Sequence, residues 1–177
     1  MKHQWKLDER AAFLERVGHG RLLEVGAGTG GDSLFFKENG LEVIATDLSA
    51  EMVALCRAKG INAYEMDFLS LEFPDESFDA VYAMLCLLHV PDADLDLVLR
   101  RLKALLRPDG LLFIGAYGGT GEEGTRPEDD HVPPRFFVFR TDEAILEAVQ
   151  RRFELVGFHV VEPDDFHFQS ITLRKPG

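Results

Sequence analysis

The chain has 177 residues, which is enough for one domain with a sizeable buried core. Hydrophobic residues make up 46% and charged residues 28% of it, which is typical of globular proteins and excludes a disordered chain. The net charge of −12 argues against non-specific nucleic-acid binding, which depends on clustered lysine and arginine.

The two cysteines and the N-terminal sequence bear on the cellular compartment. Cys56 and Cys86 lie in apolar segments without metal-ligand spacing, which is typical of reduced core cysteines. The charged, amphipathic N-terminus lacks the pattern of a signal peptide, and no apolar run approaches transmembrane length. We therefore expect a cytoplasmic protein with no metal, no membrane partner and no nucleic-acid partner.

Strand-like and helix-like segments alternate along the chain. In chain order we predict a helix at 3–17, a strand at 22–25, a helix at 32–38, a strand at 41–46, a helix through 59 capped by Ser49, a strand at 61–66, a strand at 78–85, a helix at 92–106 stopped by Pro108-Asp109-Gly110, a strand at 111–117, a helix from Thr141 to about 151, and strands near 153–161 and 166–174. Residues 118–134 are the longest segment without a regular pattern, and residues 163–165 join the last two strands. The whole chain, 1–177, is predicted to be a single domain.

This order predicts an α/β fold with a doubly wound, mostly parallel sheet. Strands that alternate with helices form βαβ units, so both faces of the sheet are covered. The last two strands have no helix between them, which predicts an antiparallel hairpin at one edge. In such sheets ligands bind at the carboxyl ends of the strands, near the point where the strand order reverses.

The first predicted strand runs into a glycine-rich stretch. Four glycines fall within six positions, Gly26, Gly28, Gly30 and Gly31, before a helix-compatible segment. Glycine at this density allows tight turning and close backbone approach, and the following helix start offers free N–H groups, so we predict a nucleotide or cofactor site. A glycine-rich turn without a ligand is the alternative. The cofactor type stays open, since Gly26, Gly28 and Gly31 also satisfy the dinucleotide pattern G-x-G-x-x-G.

Five motifs in order resemble those of class I S-adenosylmethionine-dependent methyltransferases, over nearly the whole chain. They are Glu24-Val25-Gly26-Ala27-Gly28-Thr29-Gly30, Asp47, Asp67-Phe68, Phe78-Asp79-Ala80-Val81 and Leu106-Arg107-Pro108-Asp109-Gly110-Leu111. The resemblance is best to the small-molecule enzymes of this class. It implies a Rossmann-like methyltransferase fold, with a seven-stranded sheet whose last strand inserts antiparallel. It also implies S-adenosyl-L-methionine as the cofactor.

The resemblance further implies which residues bind the cofactor. They are Glu24, Gly26, Ala27, Gly28, Gly30, Asp47, Leu48, Met52, Asp67, Phe68, Met84 and Leu85. Asp47 is expected to accept hydrogen bonds from both ribose hydroxyls, and Asp67 from the adenine amino group while Phe68 packs on the ring. Alternatively, both aspartates are ordinary cap or loop residues. Glu24 lies inside an apolar strand and needs partners, either loop amides or the amino group of the methionine moiety.

His89 is the predicted catalytic residue. Methyl transfer is a one-step displacement, so positioning and loss of water carry much of the catalysis, and a base is needed only when the acceptor loses a proton. His89 follows the fourth predicted strand, at 78–85, and an imidazole suits proton transfer near neutrality. The alternative is a polar residue that fixes the turn after this strand.

Residues 118–140 are a candidate lid over the acceptor, and the N-terminal helix at 1–18 is a candidate second wall. Predicted substrate residues are Trp5, His89, Tyr117, His131, Arg135 and Arg140. Their aromatic and basic character predicts a small-molecule acceptor that is anionic or aromatic. Nearby glutamates and aspartates neutralise the segment, so a solvated loop remains the alternative.

Two other functions stay open. An NAD(P)-dependent oxidoreductase is permitted by the glycine pattern, although no Tyr-x-x-x-Lys pair occurs in the chain. A non-catalytic S-adenosylmethionine-binding protein could carry the same motifs. The sequence predicts neither the acceptor, nor which atom is methylated, nor the oligomeric state.

Overall fold

A seven-stranded sheet forms the centre of the protein, in a computed structural model that describes residues 4–162 and 166–177. Its strands are β1 Arg21–Val25, β2 Glu42–Asp47, β3 Asn62–Glu65, β4 Phe78–Met84, β5 Leu106–Tyr117, β8 Glu154–Val161 and β9 Phe168–Arg174; a separate antiparallel pair consists of β6 Glu122–Thr125 and β7 Phe136–Phe139. The helices are α1 Gln4–Val17, α2 Gly31–Glu38, α3 Ala50–Ala58, α4 Asp92–Leu105 and α5 Asp142–Gln150.

The strands follow the order β3-β2-β1-β4-β5-β9-β8, in which β1 to β5 are parallel. Strand β9 lies between β5 and β8 and is antiparallel to both. The prediction of an α/β, doubly wound, seven-stranded and mostly parallel sheet with an antiparallel C-terminal edge hairpin is therefore confirmed. The predicted connection at 163–165 lies outside the described residues. Because the order reverses at β1, the carboxyl ends of β1 and β4 meet at the centre of one edge.

Helices cover both faces of the sheet, as the alternating pattern predicted. Apolar residues of α1, α2 and α3 share one core cluster, and those of α4 and α5 share another. The predicted caps are confirmed: the hydroxyl of Ser49 accepts a hydrogen bond from the Met52 N–H at 3.4 Å, and that of Thr141 from the Ala144 N–H at 3.2 Å. Each satisfies an N–H group that has no partner inside its helix.

Aromatic packing fixes α1 against the sheet. Tyr82 of β4 and Phe113 of β5 stack with their ring centroids 4.8 Å apart, and Phe13 of α1 lies 5.5 Å from Phe113. These side chains are almost completely buried, and burying one side chain of this size stabilises the fold by roughly 1.5–3 kcal/mol. No helix among residues 4–162 and 166–177 has both the length and the apolar character needed to cross a membrane.

The junction between α4 and β5 differs from the prediction. Helix α4 ends at Leu105 and β5 begins at Leu106, whereas a turn at residues 108–110 was expected to separate them. Leu106 pairs with Phe78, and the next pair is Ala80 with Leu111, so the turn is a bulge within the strand. Asp109 accommodates this bulge with a positive φ of 64°.

The segment at 118–134 also differs from the prediction of an irregular loop. Strand β6 pairs with β7, from Glu122 opposite Phe139 to Thr125 opposite Phe136, so residues 122–139 form a β-hairpin outside the main sheet. The sequence Glu-Glu-Gly-Thr has little strand propensity, so its pairing depends on the aromatic partner strand. The candidate lid is therefore a hairpin and not a loop.

Candidate functional site

The glycine stretch forms a sharp turn between β1 and α2. Gly26, Gly28 and Gly30 have φ values of 67°, 53° and 75°, a region that residues with a side chain rarely adopt. A Cβ atom on Gly26 would lie 2.4 Å from the Cβ of Cys86, whereas one on Gly28 would meet no atom of the described residues within 4 Å. The backbone is thus packed on one side at Gly26 and open at Gly28, where a ligand has room to approach.

Asp47, at the end of β2, is bonded to this turn. One carboxylate oxygen accepts a hydrogen bond from the Gly28 N–H at 2.8 Å, and the other from the Ser49 N–H at 2.9 Å. Each oxygen has a second lone pair that can accept from a ligand. Asp47 therefore connects the glycine turn to the start of α3, close to Met52, and is able to receive two hydroxyl donors.

A cleft of about 230 Å³ lies at the ends of β2 and β3, beside Asp47. It is lined by Leu48, Met66, Asp67, Phe68, Leu69, His89, Val90, Pro91 and Asp94. The Leu48 side chain is 70% exposed, so it leaves apolar surface open at the edge of the cleft. The volume is below the usual range for whole ligands, so the cleft suits one planar ring system.

Asp67 and Phe68 form the floor of this cleft. The Asp67 carboxylate accepts a hydrogen bond from the Leu69 N–H at 3.0 Å and thereby caps a short turn of 3-10 helix. The Phe68 ring lies 3.7 Å from the position of a Cβ on Gly26, so the cleft and the glycine turn adjoin each other. The fold therefore brings together three places that are distant in sequence: Leu48, the pair Asp67-Phe68, and His89.

Glu24 is buried beneath the glycine turn. Its carboxyl group accepts a hydrogen bond from the Ser33 hydroxyl of α2. Burial, with a contribution from nearby Asp32, raises the pKa of Glu24 to about 8. Asp32 itself binds Arg10 of α1 at 2.8 Å. The sequence suggested loop amides or a ligand amine as partners of Glu24, and the structure gives it both the hydroxyl and the backbone N–H of Ser33 at the start of α2.

Strand β4 ends in a turn that the sequence did not reveal. Leu85 has a positive φ of 53°, a strained value for a leucine, and its N–H donates to the Gly115 carbonyl at 2.7 Å. The Cys86 thiol donates to the Val25 carbonyl at 3.1 Å. Strained residues cluster at binding sites, and this one follows Met84 directly beside the glycine turn. A positive φ at leucine has no sequence signature.

His89 is half-buried between the cleft and the hairpin. Its Nδ1 lies 2.8 Å from the carbonyl oxygen of Phe136 in β7, and its ring packs edge-on against Phe137 at 4.8 Å. A carbonyl can only accept, so Nδ1 carries the proton and Nε2 is left as a proton acceptor. Burial lowers the pKa of His89, which favours this neutral form.

The predicted aromatic residues Trp5 and Tyr117 meet at the end of β5. Their ring centroids are 6.4 Å apart, and two unpredicted rings complete the group: Phe168 lies 4.3 Å from Trp5, and Phe166 lies 4.9 Å from Tyr117. Phe166 is 55% exposed. A Cβ on Gly115 would contact both Phe168 and the Met84 sulfur, so this aromatic group adjoins the end of β4.

The predicted basic substrate residues are engaged by carboxylates. Arg140 is buried and binds Asp92 at 2.7 Å, while Arg135 binds Asp129 at 2.6 Å. His131 lies 3.0 Å from the same Asp129, whose carboxyl pKa is held below its usual range by Arg135. Both arginines are thus already paired with carboxylates within the protein, and the binding of an anionic acceptor by these residues stays a prediction.

A family model described as a methyltransferase domain matches residues 23–114, which are 92 of the 177 residues and include the glycine turn, both aspartates and His89. Among solved structures, the Burkholderia thailandensis 1,6-didemethyltoxoflavin-N1-methyltransferase superposes with a TM-score of 0.81 and 26% identity, covering 96% of this chain and 77% of that one. That protein was crystallised with 1,6-didemethyltoxoflavin and S-adenosylhomocysteine.

Two curated relatives are also similar. Phosphoethanolamine N-methyltransferase 2 of Caenorhabditis elegans is 26% identical, over 96% of this chain and 41% of that protein. Ubiquinone biosynthesis O-methyltransferase of Xanthomonas oryzae pv. oryzae is 34% identical, over 65% of this chain and 50% of that protein. The chain thus spans half or less of the length of these relatives.

Proposed function

The chain belongs to the methyltransferase domain family, and from this membership we propose that it transfers a methyl group from S-adenosyl-L-methionine to a small-molecule acceptor by direct displacement. The observation that carries the proposal is the meeting of Leu48, Asp67 and Phe68 in one cleft, next to Asp47 and the glycine turn. The proposed domain covers 1–177, with the hairpin region 118–140 as a lid.

In this proposal the adenine ring lies in the cleft between Leu48 and Phe68. The exposed Leu48 side chain and the Phe68 ring offer apolar surfaces to a planar base, and the Asp67 carboxylate offers an acceptor for its amino group. Asp47 accepts the two ribose hydroxyls with the lone pairs that its backbone bonds leave free. The distribution of acceptors and apolar surface therefore matches an adenosine.

The methionine end of the cofactor is proposed to follow the open side of the glycine turn at Gly28. Among residues 4–162 and 166–177 no atom would lie within 4 Å of a Cβ added there, which supports this path. Met84 and Leu85 line the neighbouring end of β4, and Met52 lies at the start of α3. Glu24 supports the turn from below through Ser33, which favours a structural role for it.

Bound S-adenosyl-L-methionine supplies a methyl group activated by a sulfonium. The chain contributes position and desolvation: the apolar end of β4 excludes water, and the acceptor is held in line with the methyl group. His89 can take a proton at Nε2 when the acceptor loses one, because its Nδ1 proton is held by the Phe136 carbonyl.

The acceptor class that the contacts favour is a neutral aromatic molecule. Trp5, Tyr117 and Phe166 present ring surfaces in a group that adjoins Met84 through Phe168, and planar rings stack on such surfaces. Arg135 and Arg140 are neutralised by Asp129 and Asp92, so they contribute little attraction for an anion. An aromatic acceptor therefore fits the side chains on the acceptor side better than a phosphorylated acceptor does.

Calorimetric titration with S-adenosylhomocysteine beside NAD tests the proposal. We expect S-adenosylhomocysteine to bind and NAD not to bind, followed by methylation of at least one compound in a panel of phenols and nitrogen heterocycles. Tight binding of NAD alone would identify an oxidoreductase instead. Binding of S-adenosylhomocysteine without turnover of any acceptor would indicate the non-catalytic alternative.

A further inference from the structure

The β6–β7 hairpin is joined to the proposed cofactor site by side chains at two places. The hairpin forms a two-stranded sheet of its own and, within the part of the chain that the structure describes, shares no strand pairing with the main sheet. At its side, His89 donates to the Phe136 carbonyl at 2.8 Å. At its base, Arg140 follows the last residue of β7 directly. Its position therefore depends on what these two residues hold.

Arg140 binds three oxygen atoms of one short segment. Its guanidinium donates to the Asp92 carboxylate at 2.7 Å, to the Val90 carbonyl at 2.5 Å and to the Leu87 carbonyl at 3.4 Å. The Arg140 side chain is 6% exposed, so its bonds to the two carbonyl groups are shielded from water, whereas Asp92 itself is 65% exposed. The rigid fork of a guanidinium bonded at three points fixes residues 87–92 in position, which a flexible lysine could not do.

The backbone of Arg140 is bonded to two further elements. Its carbonyl oxygen accepts from the Gly119 N–H at 2.8 Å and from the Gln169 side chain at 2.9 Å. Gly119 begins the chain segment that leads into β6, and Gln169 belongs to β9. Arg140 is therefore the residue at which the hairpin base, the main sheet and residues 87–92 meet.

Residues 87–92 have a second neighbour, the proposed adenine cleft. His89, Val90 and Pro91 line that cleft opposite Asp67 and Phe68. A base bound there restricts the movement of the same segment that Arg140 holds from the other side. Two sites that order one segment stabilise each other, and this coupling acts equally in both directions.

We propose that Arg140 is a positioning residue that couples cofactor binding to the placement of the hairpin over the acceptor. This inference rests on the proposed cofactor site. Occupation of the cleft orders residues 87–92. Because the Arg140 guanidinium is hydrogen-bonded to this segment, the base of β7 is ordered with it. The hairpin then closes preferentially on a chain that already holds its cofactor. Cofactor and acceptor therefore favour each other's binding through the hairpin.

Hydrogen–deuterium exchange with and without saturating S-adenosylhomocysteine tests the coupling. In the wild-type chain, the ligand is expected to slow exchange of the β7 amides by about fivefold or more, the lower range of typical coupling. In Arg140→Gln this protection is expected to disappear, and S-adenosylhomocysteine is expected to bind about fivefold or more weakly. Arg152→Gln is the matched control, since the Arg152 guanidinium bonds Asp96 of α4 and, among the described residues, has no side-chain hydrogen bond to the hairpin or to residues 87–92.

Asp92→Asn provides a second variant in case Arg140→Gln does not fold. It weakens one of the three bonds. We therefore expect ligand-dependent protection of the β7 amides that is smaller than in the wild type and in Arg152→Gln, but larger than in Arg140→Gln. A lower melting temperature with unchanged ligand-dependent protection would reduce Arg140 to a structural residue. Binding without hairpin protection in the wild type would overturn the coupling alone, whereas no binding at all would overturn the proposed function as well.

Discussion

The two sides of the proposed active site are assembled from contacts of different range. On the cofactor side, the glycine turn, Asp47 and Asp67 follow consecutive parallel strands, so the sheet brings them together without long-range pairing of side chains. On the acceptor side, His89 contacts Phe136, 47 residues later, and Trp5 packs on Phe168 at the other end of the chain. The residues of the cofactor side are therefore positioned by the strand order, and those of the acceptor side by tertiary packing.

His89 lies on the border of the two sides, so its substitution should have the largest effect. As a base, it acts through Nε2, while Nδ1 holds the hairpin. The amide of His89→Asn reaches the Nδ1 position and keeps a donor for the Phe136 carbonyl, but it cannot accept the proton. With an acceptor that loses a proton on methylation, we expect kcat to fall about 100-fold or more in steady-state assays.

His89→Gln is the matched control, because its longer side chain loses the Nδ1 donor as well. A kcat of His89→Asn close to that of the wild type, with a large loss only in His89→Gln, would show that His89 positions the hairpin through its hydrogen bond and does not act as a base. In the wild type, kcat should decrease as the pH falls through the lowered pKa of His89, because the base must be unprotonated.

Asp47→Ala sharpens the comparison on the cofactor side alone. The variant loses an acceptor for the ribose hydroxyls and the bond to the Gly28 N–H. S-Adenosylhomocysteine should bind about 1.5–3 kcal/mol more weakly by calorimetry, which is roughly 10- to 150-fold. Asp47→Asn, which keeps one accepting oxygen, should lose less. An unchanged affinity in Asp47→Ala would remove this residue from the site.

Glu24 should make the stability of the cofactor side depend on pH. Its pKa is raised from 4.5 to about 8 in the folded chain, so folding takes up a proton between these values. The free energy of unfolding should then decrease by about 1.4 kcal/mol per pH unit across that window, and level off above it.

Glu24→Gln should remove this slope, as measured by urea unfolding at about pH 5.5 and about pH 7.5. Glu154→Gln is the control, because Glu154 is an exposed glutamate at the start of β8. An equal slope of the free energy of unfolding against pH in the wild type and in Glu24→Gln would show that Glu24 is ionised in the folded protein. The Ser33 hydroxyl would then donate to a carboxylate and not to a neutral carboxyl group.

Tyr117→Leu should have the smallest effect and act on the acceptor side only. The substitution removes a ring that stands between Trp5 and Phe166, and an aromatic contact contributes about 0.5–1.5 kcal/mol beyond its buried area. KM for an aromatic acceptor should rise about 2- to 10-fold. Affinity for S-adenosylhomocysteine should stay constant, and the exposed Tyr64 of β3 offers the control Tyr64→Leu. A loss confined to cofactor affinity would contradict the division into two sides.

The same division explains what the sequence could predict. Glycines with positive φ, such as Gly26 and Gly28, can be read from the chain because few other residues adopt that conformation. Asp47 and Asp67 each end a recognisable apolar strand, and parallel strands place their carboxyl ends at one edge. Their meeting with Leu48 and Phe68 around one cleft follows from the fold class.

On the acceptor side the sequence indicated Trp5, Tyr117 and His89, but it could not predict their contacts, because these depend on partners that are distant in sequence. Arg140 is visible as a basic residue, but its burial follows from Asp92 and two carbonyl groups 50 and 53 positions away. The strand propensity of residues 122–125 is low, and their pairing with Phe136–Phe139 has no local signal. Charge in a sequence does not reveal whether that charge is free to bind a ligand.

A crystal structure of the chain with S-adenosylhomocysteine tests the central claim most directly. The adenine ring is predicted to lie in the cleft between Leu48 and Phe68, with its amino group within hydrogen-bond distance of Asp67 and the ribose hydroxyls on Asp47. The homocysteine end is predicted to follow the glycine turn at Gly28. A ligand bound elsewhere, or an adenine outside this cleft, would contradict the assignment of the cofactor side.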